Sequence, residues 1–189
     1  TIERYANVRA LSALADCDVA VLVIDATAGL PSDQDIRIAT LIHERGRSFV
    51  VAVTKWDAVE KDSKTAKEFE EMMQVSFSFA GYAPILFISG LTGKRCPNLL
   101  DKIKEVYEAA MVKYTDEEIE QVVSEAMTKN VPPVYHGQPI SCFHASQIGN
   151  RPPTFGLMLN HPKALGASYE RYLKSAIREA FPFPGNDIR

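Results

Sequence analysis

The sequence predicts an α/β protein in two parts, a portion of a helix-covered parallel sheet followed by a small α+β module. Three observations carry that expectation. Apolar runs at residues 19–24, 49–53 and 85–88 do not alternate with polar residues, the pattern of strands covered on both faces. Segments of helical period lie between them, long enough for the crossovers that parallel strands require. From Thr115 the pattern changes to an acidic helix start, two alternating segments around a Gly- and Pro-rich turn, and a last helix. The expected division is therefore 1–114 and 115–189.

Taken in order, Ile2, Tyr5, Val8, Leu11 and Leu14 fall at a helical period, giving an amphipathic helix over residues 2–15. The run at 19–24 then ends in Asp25. Ser32 is the expected N-cap of the next helix, with Asp33 and Asp35 in its first turn. That helix carries Ile36, Ala39, Leu41 and Ile42, ends at Gly46, and leaves His43 as a surface imidazole near its C-terminus. The strand at 49–53 follows, then a mixed-charge helix over 63–74 with a solvated face. Phe77, Phe79 and Tyr82 pack beneath a loop, and Pro84 opens the strand at 85–88. A helix over 98–111 turns Leu99, Leu100, Ile103, Val106 and Tyr107 inward. In the second part, Thr115 and the acidic residues after it start a helix running to about residue 130. Strands at 140–147 and 154–159 flank a turn at 148–153, and a helix over 168–180 is stopped by Pro182 and Pro184.

With 189 residues and 46% hydrophobic content, there is ample material for packed cores, which excludes wholesale disorder. A net charge of −3 gives no overall basic footprint for nucleic acid. Residues 115–189 hold seven Lys and Arg against eight Asp and Glu, so any RNA contact is a local patch. Cys17, Cys96 and Cys142 match no metal or redox spacing and read as core thiols of a reducing compartment. No apolar run approaches the roughly 18 residues of a membrane span, and the first residues carry no signal-peptide pattern.

The chemistry-bearing stretch is Thr54-Lys55-Trp56-Asp57, at the carboxyl end of the most apolar run. In open α/β sheets ligands bind outside the carboxyl ends of the strands. A carboxylate such as Asp57 accepts two parallel hydrogen bonds, and guanine offers an adjacent N1–H and 2-amino pair that adenine lacks. A site built on such bonds rejects a base that leaves them unmade. Lys55 can lay its aliphatic stem along a base face while its ammonium stays in water. The tetrad by itself serves equally well as a polar turn with Asp57 capping the next helix. The run ending in Ser89-Gly90-Leu91-Thr92-Gly93-Lys94 shifts the balance, because it places a second strand tip one βαβ unit on. Its backbone N–H groups can hold the guanine 6-oxygen, and Gly90 lets the backbone approach closely. The candidate nucleotide-binding residues are Thr54, Lys55, Asp57, Ser89, Gly90 and Leu91. No catalytic residue and no metal ligand is expected within the chain.

The two tips together resemble the guanine-recognition pair of translation-factor-related GTPases. Thr1-Ile2-Glu3-Arg4-Tyr5, Val21-Leu22-Val23-Ile24-Asp25-Ala26-Thr27, Arg151-Pro152-Pro153-Thr154-Phe155 and Ser168-Tyr169-Glu170-Arg171-Tyr172-Leu173 extend the likeness over nearly the whole chain. In order, they resemble the second GTPase domain and the C-terminal KH-like domain of the Der (EngA) double-GTPase family. Thr54 stands where Asn is commoner, and Gly90 where Ala is commoner, which bears on affinity.

The resemblance implies a partial P-loop-GTPase-type parallel sheet followed by a small α+β KH-like domain. A further edge strand of that domain belongs after Ile188 and is incomplete at Arg189. It also implies a GTPase in the intact protein, using GTP, GDP and Mg2+ in biogenesis of the large ribosomal subunit. The implied setting is the cytoplasm, away from membranes, with rRNA or the large subunit and the protein's own upstream G domains as partners. A Gly-x-x-x-x-Gly-Lys-[Ser/Thr] loop occurs nowhere in the chain, and Asp25 to Gly29 is one residue too long for Asp-x-x-Gly. Phosphoryl transfer depends on groups placed around the γ-phosphate. The chain alone is therefore expected to be inactive and to bind guanine nucleotides weakly, with Mg2+ belonging only to the intact protein.

Two other readings stay open. One is a non-enzymatic RNA- or ribosome-binding adaptor with a vestigial nucleotide site. The other is an Era-like GTPase with a true KH domain, which calls for a Gly-x-x-Gly clamp in the second part. The chain's Gly-x-x-Gly, Gly90-Leu91-Thr92-Gly93, lies in the first part instead. Without a clamp the second part reads as a packing module, with Arg151 the best candidate for an RNA or inter-domain contact. His136, His144 and His161 read as turn or surface residues.

Overall fold

Strand β2 (Ser48–Thr54) is the centre of a three-stranded parallel sheet in the structure, a computed structural model that describes residues 12–60 and 64–189. β1 (Val19–Asp25) pairs on one side, in register from Val19↔Ser48 to Asp25↔Thr54. β3 (Ile85–Phe87) pairs on the other, from Val51↔Ile85 to Val53↔Phe87. Phe49, Val50, Val51, Ala52 and Val53 are all fully buried, as an unbroken apolar run requires. Ala39 and Ile42 of α1 (Asp33–Glu44) and Met73 of α2 (Thr65–Ser76) share one core cluster with Phe49, Val51 and Val53. The run at 19–24 is equally apolar, yet only Ala20, Leu22 and Ile24 are buried, and Val23 is 57% exposed. Among the described residues β1 is an edge of the sheet.

Local chemistry sets the helix ends. Ser32 and Asp35 close a capping box on α1, and Gly46 follows its end with φ 63°. Residues 12–16 are helical; the rest of the helix expected over 2–15 lies outside the described residues, as do the motif at 1–5 and the expected start of α2 at Ser63. Only one stripe of α3 (Cys96–Met111) is buried: Val106 and Ala110 fully, Leu99 and Ile103 partly. Leu100 and Tyr107, expected to face inward, are exposed, because a helix packed on one side covers a single arc.

The chain divides into two compact units, the residues up to Ala109 with Pro184–Asp187, and Ala110–Phe183 with Ile188–Arg189. In the first unit the returning tail is stitched in by hydrogen bonds. Phe49 N–H donates to the Gly185 carbonyl (2.7 Å), and Gly185 N–H donates to that of Tyr82 (2.9 Å). Asn186 is buried; its Oδ1 accepts from the Ser48 hydroxyl, and its Nδ2 donates to the Val106 carbonyl at 3.0 Å. Gly185 holds φ 69°, and a Cβ there would lie 2.6 Å from both Val106 methyls. His43 is half-buried rather than on the surface. Its Nδ1 lies 2.9 Å from the Tyr82 hydroxyl and 3.9 Å from an Asp187 carboxylate oxygen.

The second unit opens on α4 (Asp116–Lys129), with a Thr115–Glu118 capping box. A small hairpin of β4 (Val134–Tyr135) and β5 (Gln138–Pro139) follows, not anticipated from the sequence. Its turn, His136-Gly137, has φ 49° and 77°, the positive pair a two-residue hairpin turn favours. β6 (Cys142–Asn150) and β7 (Pro153–Leu159) pair antiparallel with register shifts at 142/144 and 147/149. They extend further than expected and leave only Arg151 and Pro152 between them. α5 (Ala167–Ala180) completes a core of Ile119, Val123, Ala145, Ile177, Phe181 and Phe183. Arg189 N–H donates to the Pro153 carbonyl, and the Arg189 carbonyl accepts from Phe155 N–H. That is the ladder of a parallel neighbour of β7. No helix among the described residues is long and apolar enough to cross a membrane.

Candidate nucleotide site

Two strand tips meet at the carboxyl edge of the sheet. Ile88 N–H donates to the Val53 carbonyl (2.8 Å), and Trp56 N–H donates to the Ile88 carbonyl (3.1 Å). Pairing thus continues past both strands. The Trp56 ring packs on Phe87 at 4.3 Å and on Phe69 at 5.2 Å between centroids. That aromatic anchor fixes the loop, while Lys55 and Asp57 on either side of it are exposed. A cavity of about 560 Å³ opens here, lined by Trp56, Asp57, Ser89, Thr92, Lys94 and Arg95 among others.

The second tip is tightly ordered by its own hydrogen bonds. Ser89 is buried; its N–H donates to the Lys94 carbonyl (3.1 Å), and its hydroxyl oxygen accepts from Thr92 N–H (3.1 Å). Gly90 and Leu91 form the exposed crest of the loop, Leu91 being 88% exposed. No protein atom crowds the place a Cβ would take at Gly90, so any need for glycine there would come from a ligand. Lys55 and Arg95, at φ 56° and 61°, lie in the two loops of this one cleft. Left-handed backbone at non-glycine residues persists where the surroundings over-determine it, often at sites.

Of the six candidate residues, Asp57 and Ser89 line the cavity, Thr54 ends β2 beside it, and Gly90 and Leu91 continue from Ser89. Lys55 reaches elsewhere: its ammonium lies 2.6 Å from an Asp25 carboxylate oxygen at the tip of β1. The other Asp25 oxygen accepts from the Thr27 N–H (2.9 Å) and hydroxyl (2.7 Å). The Lys55 ammonium first, and then the Thr27 donors, hold the Asp25 carboxyl down at about 2. The sequence presents Asp25 only as a turn residue. It also gives no emphasis to Thr92, Lys94 and Arg95, although a Lys-Arg pair just beyond the second tip is a readable signal.

A larger cavity of about 660 Å³ lies in the second unit, between α4 and residues 139–144. His144 belongs to it and pairs with Glu120 at 2.6 Å. Among the described residues no three His, Cys, Asp or Glu side chains gather as a metal site. With no phosphate-binding loop in the sequence, the residues present do not fit Mg2+.

Residues 6–109 match the family described as the elongation factor Tu GTP binding domain. Residues 113–189 match the KH-domain-like C-terminal module of EngA bacterial GTPase enzymes. Curated relatives include GTPase Der of Caldanaerobacter subterraneus subsp. tengcongensis, 43% identical over 188 residues, 100% of this chain and 43% of that protein. GTPase Der of Desulforamulus reducens is 40% identical over 99% of this chain and 42% of its own length. GTPase Der of Bacillus cereus (strain ATCC 10987 / NRS 248) is 41% identical over 98% and 42%. The chain thus spans less than half the length of these relatives. Among solved structures, a point variant of Aquifex aeolicus Era bound to GDP.AlF4- aligns with a TM-score of 0.44 and 16% identity, over 94% of this chain and 65% of that one.

Proposed function

Since this chain belongs to the Der (EngA) family of GTPases and matches its C-terminal part, we propose that it is the guanine-reading portion of such an enzyme. The observation that carries this is the Trp56–Ile88 hydrogen bond, which joins two strand tips around a cavity holding Asp57 and Ser89. Asp57 accepts from guanine N1–H and the 2-amino group. Backbone N–H groups of Gly90 and Leu91 donate to the 6-oxygen. Lys55 offers its stem to a face of the base, and Thr54 ends the strand that presents it.

In this proposal residues 1–114 are the C-terminal portion of a G domain, and 115–189 are a KH-like domain. The intact protein hydrolyses GTP with Mg2+, using phosphate-binding segments not found in this sequence. It acts in the cytoplasm in large-subunit ribosome biogenesis, against rRNA and its own upstream G domains. Likeness to the Der relatives supports the GTPase reading, and the cleft between the two strand tips supports the nucleotide. The chain alone lacks the groups that stabilise a transferring phosphoryl, so it is inactive and binds nucleotide weakly.

Calorimetric titration with GDP tests the reading: binding weaker than about 1 μM is expected, since only the base is gripped. Sub-micromolar affinity would overturn the weak-site proposal. In a protein restored to full length, Asp57→Asn is expected to shift preference from guanine toward xanthine nucleotides, because the acceptor edge is altered. Unchanged GTP and XTP affinities would remove Asp57 as the base reader.

A further inference from the structure

We propose that Asp25 is a positioning residue for base recognition: it pins the Lys55 ammonium, so that the lysine stem beside the strand tip is held ready for a purine to rest on. The proposal rests on the guanine-site reading above and adds a residue that reading does not contain.

The geometry begins with register. Asp25 is the direct partner of Thr54 in the β1–β2 ladder, which sets its carboxylate beside the first residue past β2. Lys55 then leaves the strand at φ 56° and places its ammonium 2.6 Å from Asp25. The carboxylate is oriented independently of the lysine. One oxygen is taken by the two Thr27 donors, and the other meets Lys55.

Stability does not account for this contact. The Lys55 and Asp25 side chains are 60% and 36% exposed, and exposed ion pairs contribute little to folding. The left-handed backbone at Lys55 is itself unfavourable. Preorganisation does account for it. A long side chain that is free in solution must be ordered when a ligand packs on it, and ordering it beforehand removes that cost from binding. A lysine held at its ammonium has fewer ways to place its four methylenes, and the methylenes are the part on which a flat ring can rest.

Guanosine titration followed by NMR tests this in four proteins: the chain as it stands, Asp25→Asn, Lys55→Met and the double substitution. Asparagine keeps an acceptor for Thr27 and loses the charge that holds Lys55. Asp25→Asn is expected to weaken guanosine binding about 2- to 10-fold, the scale of ordering one long side chain, with a melting temperature lowered only slightly. In the Lys55→Met background Asp25→Asn is expected to add nothing, because its only route is through the lysine. Without ligand, three-bond couplings of the Lys55 side chain should report one rotamer in the parent chain and averaging in Asp25→Asn. Equal guanosine affinity with and without Asp25→Asn, an equal loss in the Lys55→Met background, or unaltered couplings would overturn the role of Asp25 alone. A parent chain that binds no guanosine would overturn the base-site reading, and this role with it.

Discussion

β2 and β6 hold their places by opposite means. β2 buries six successive residues, Ser48 to Val53, whereas β6, which is longer, buries only Ala145. A strand packed on both faces has no room for a slip or a bulge, since either would drive apolar groups out of the core. β6 has one face to spare and carries two register shifts along with His144 and Gln147. The difference bears on where a site can be built. Groups at the end of a fully enclosed strand inherit its positional precision, and the candidate residues Thr54, Lys55 and Asp57 start where the enclosure of β2 stops.

The contrast can be broken most directly by truncating one phenylalanine from each region. Phe49→Ala in β2 is expected to cost about 3–5 kcal/mol by denaturant unfolding. Phe143→Ala in β6, which is 67% exposed, should stay within about 0.5 kcal/mol; equal losses would abolish the distinction. A second test overfills the tail against the same strand. Gly185→Ala puts a methyl 2.6 Å from the Val106 methyls at a positive φ and is expected to cost about 1–3 kcal/mol, partly recovered when Val106 is also shortened to Ala. Next come the helix starts. Thr115→Ala removes one half of the α4 capping box and should cost about 1 kcal/mol. Lys64→Ala should cost less, because the Lys64 side chain makes no capping hydrogen bond to α2. The smallest expected effect lies at the exposed tip of β1. The Asp25 carboxyl, lowered from 3.8 to about 2, keeps its stabilising contribution above about pH 4 and loses it as pH falls toward 2. Carbonyl NMR titration should show that midpoint, and Lys55→Met should move it up.

Much of this is legible in the sequence. The enclosed strand declares itself by an unbroken apolar run, and the tetrad behind it by the abrupt onset of polarity. Ser32 and Thr115 cap helices where their neighbours predict, because capping is a short-range interaction. What stays hidden depends on register or on counting partners in space. Asp25 meets Lys55 only because β1 and β2 pair as they do. Leu100 and Tyr107 carry the same apolar signal as Val106, and only the packed arc separates them. The His136-Gly137 hairpin joins strands of two residues each, too short for any periodicity. His43 looks like a solvent-facing helix-end residue until Tyr82 arrives from a distant loop.

The tail segment Pro184–Asp187 makes the first unit discontinuous along the chain. A gene fragment ending near residue 114 would encode every described strand of its sheet and still remove the acceptor for Phe49 N–H and the partners of the Ser48 hydroxyl and the Val106 carbonyl. Polar groups stripped of partners inside a core are destabilising. The minimal folding piece that carries the candidate nucleotide pocket therefore reaches at least to Asp187, and excision of the nucleotide half by its apparent sequence border would yield a weakened protein whose poor binding said nothing about the pocket.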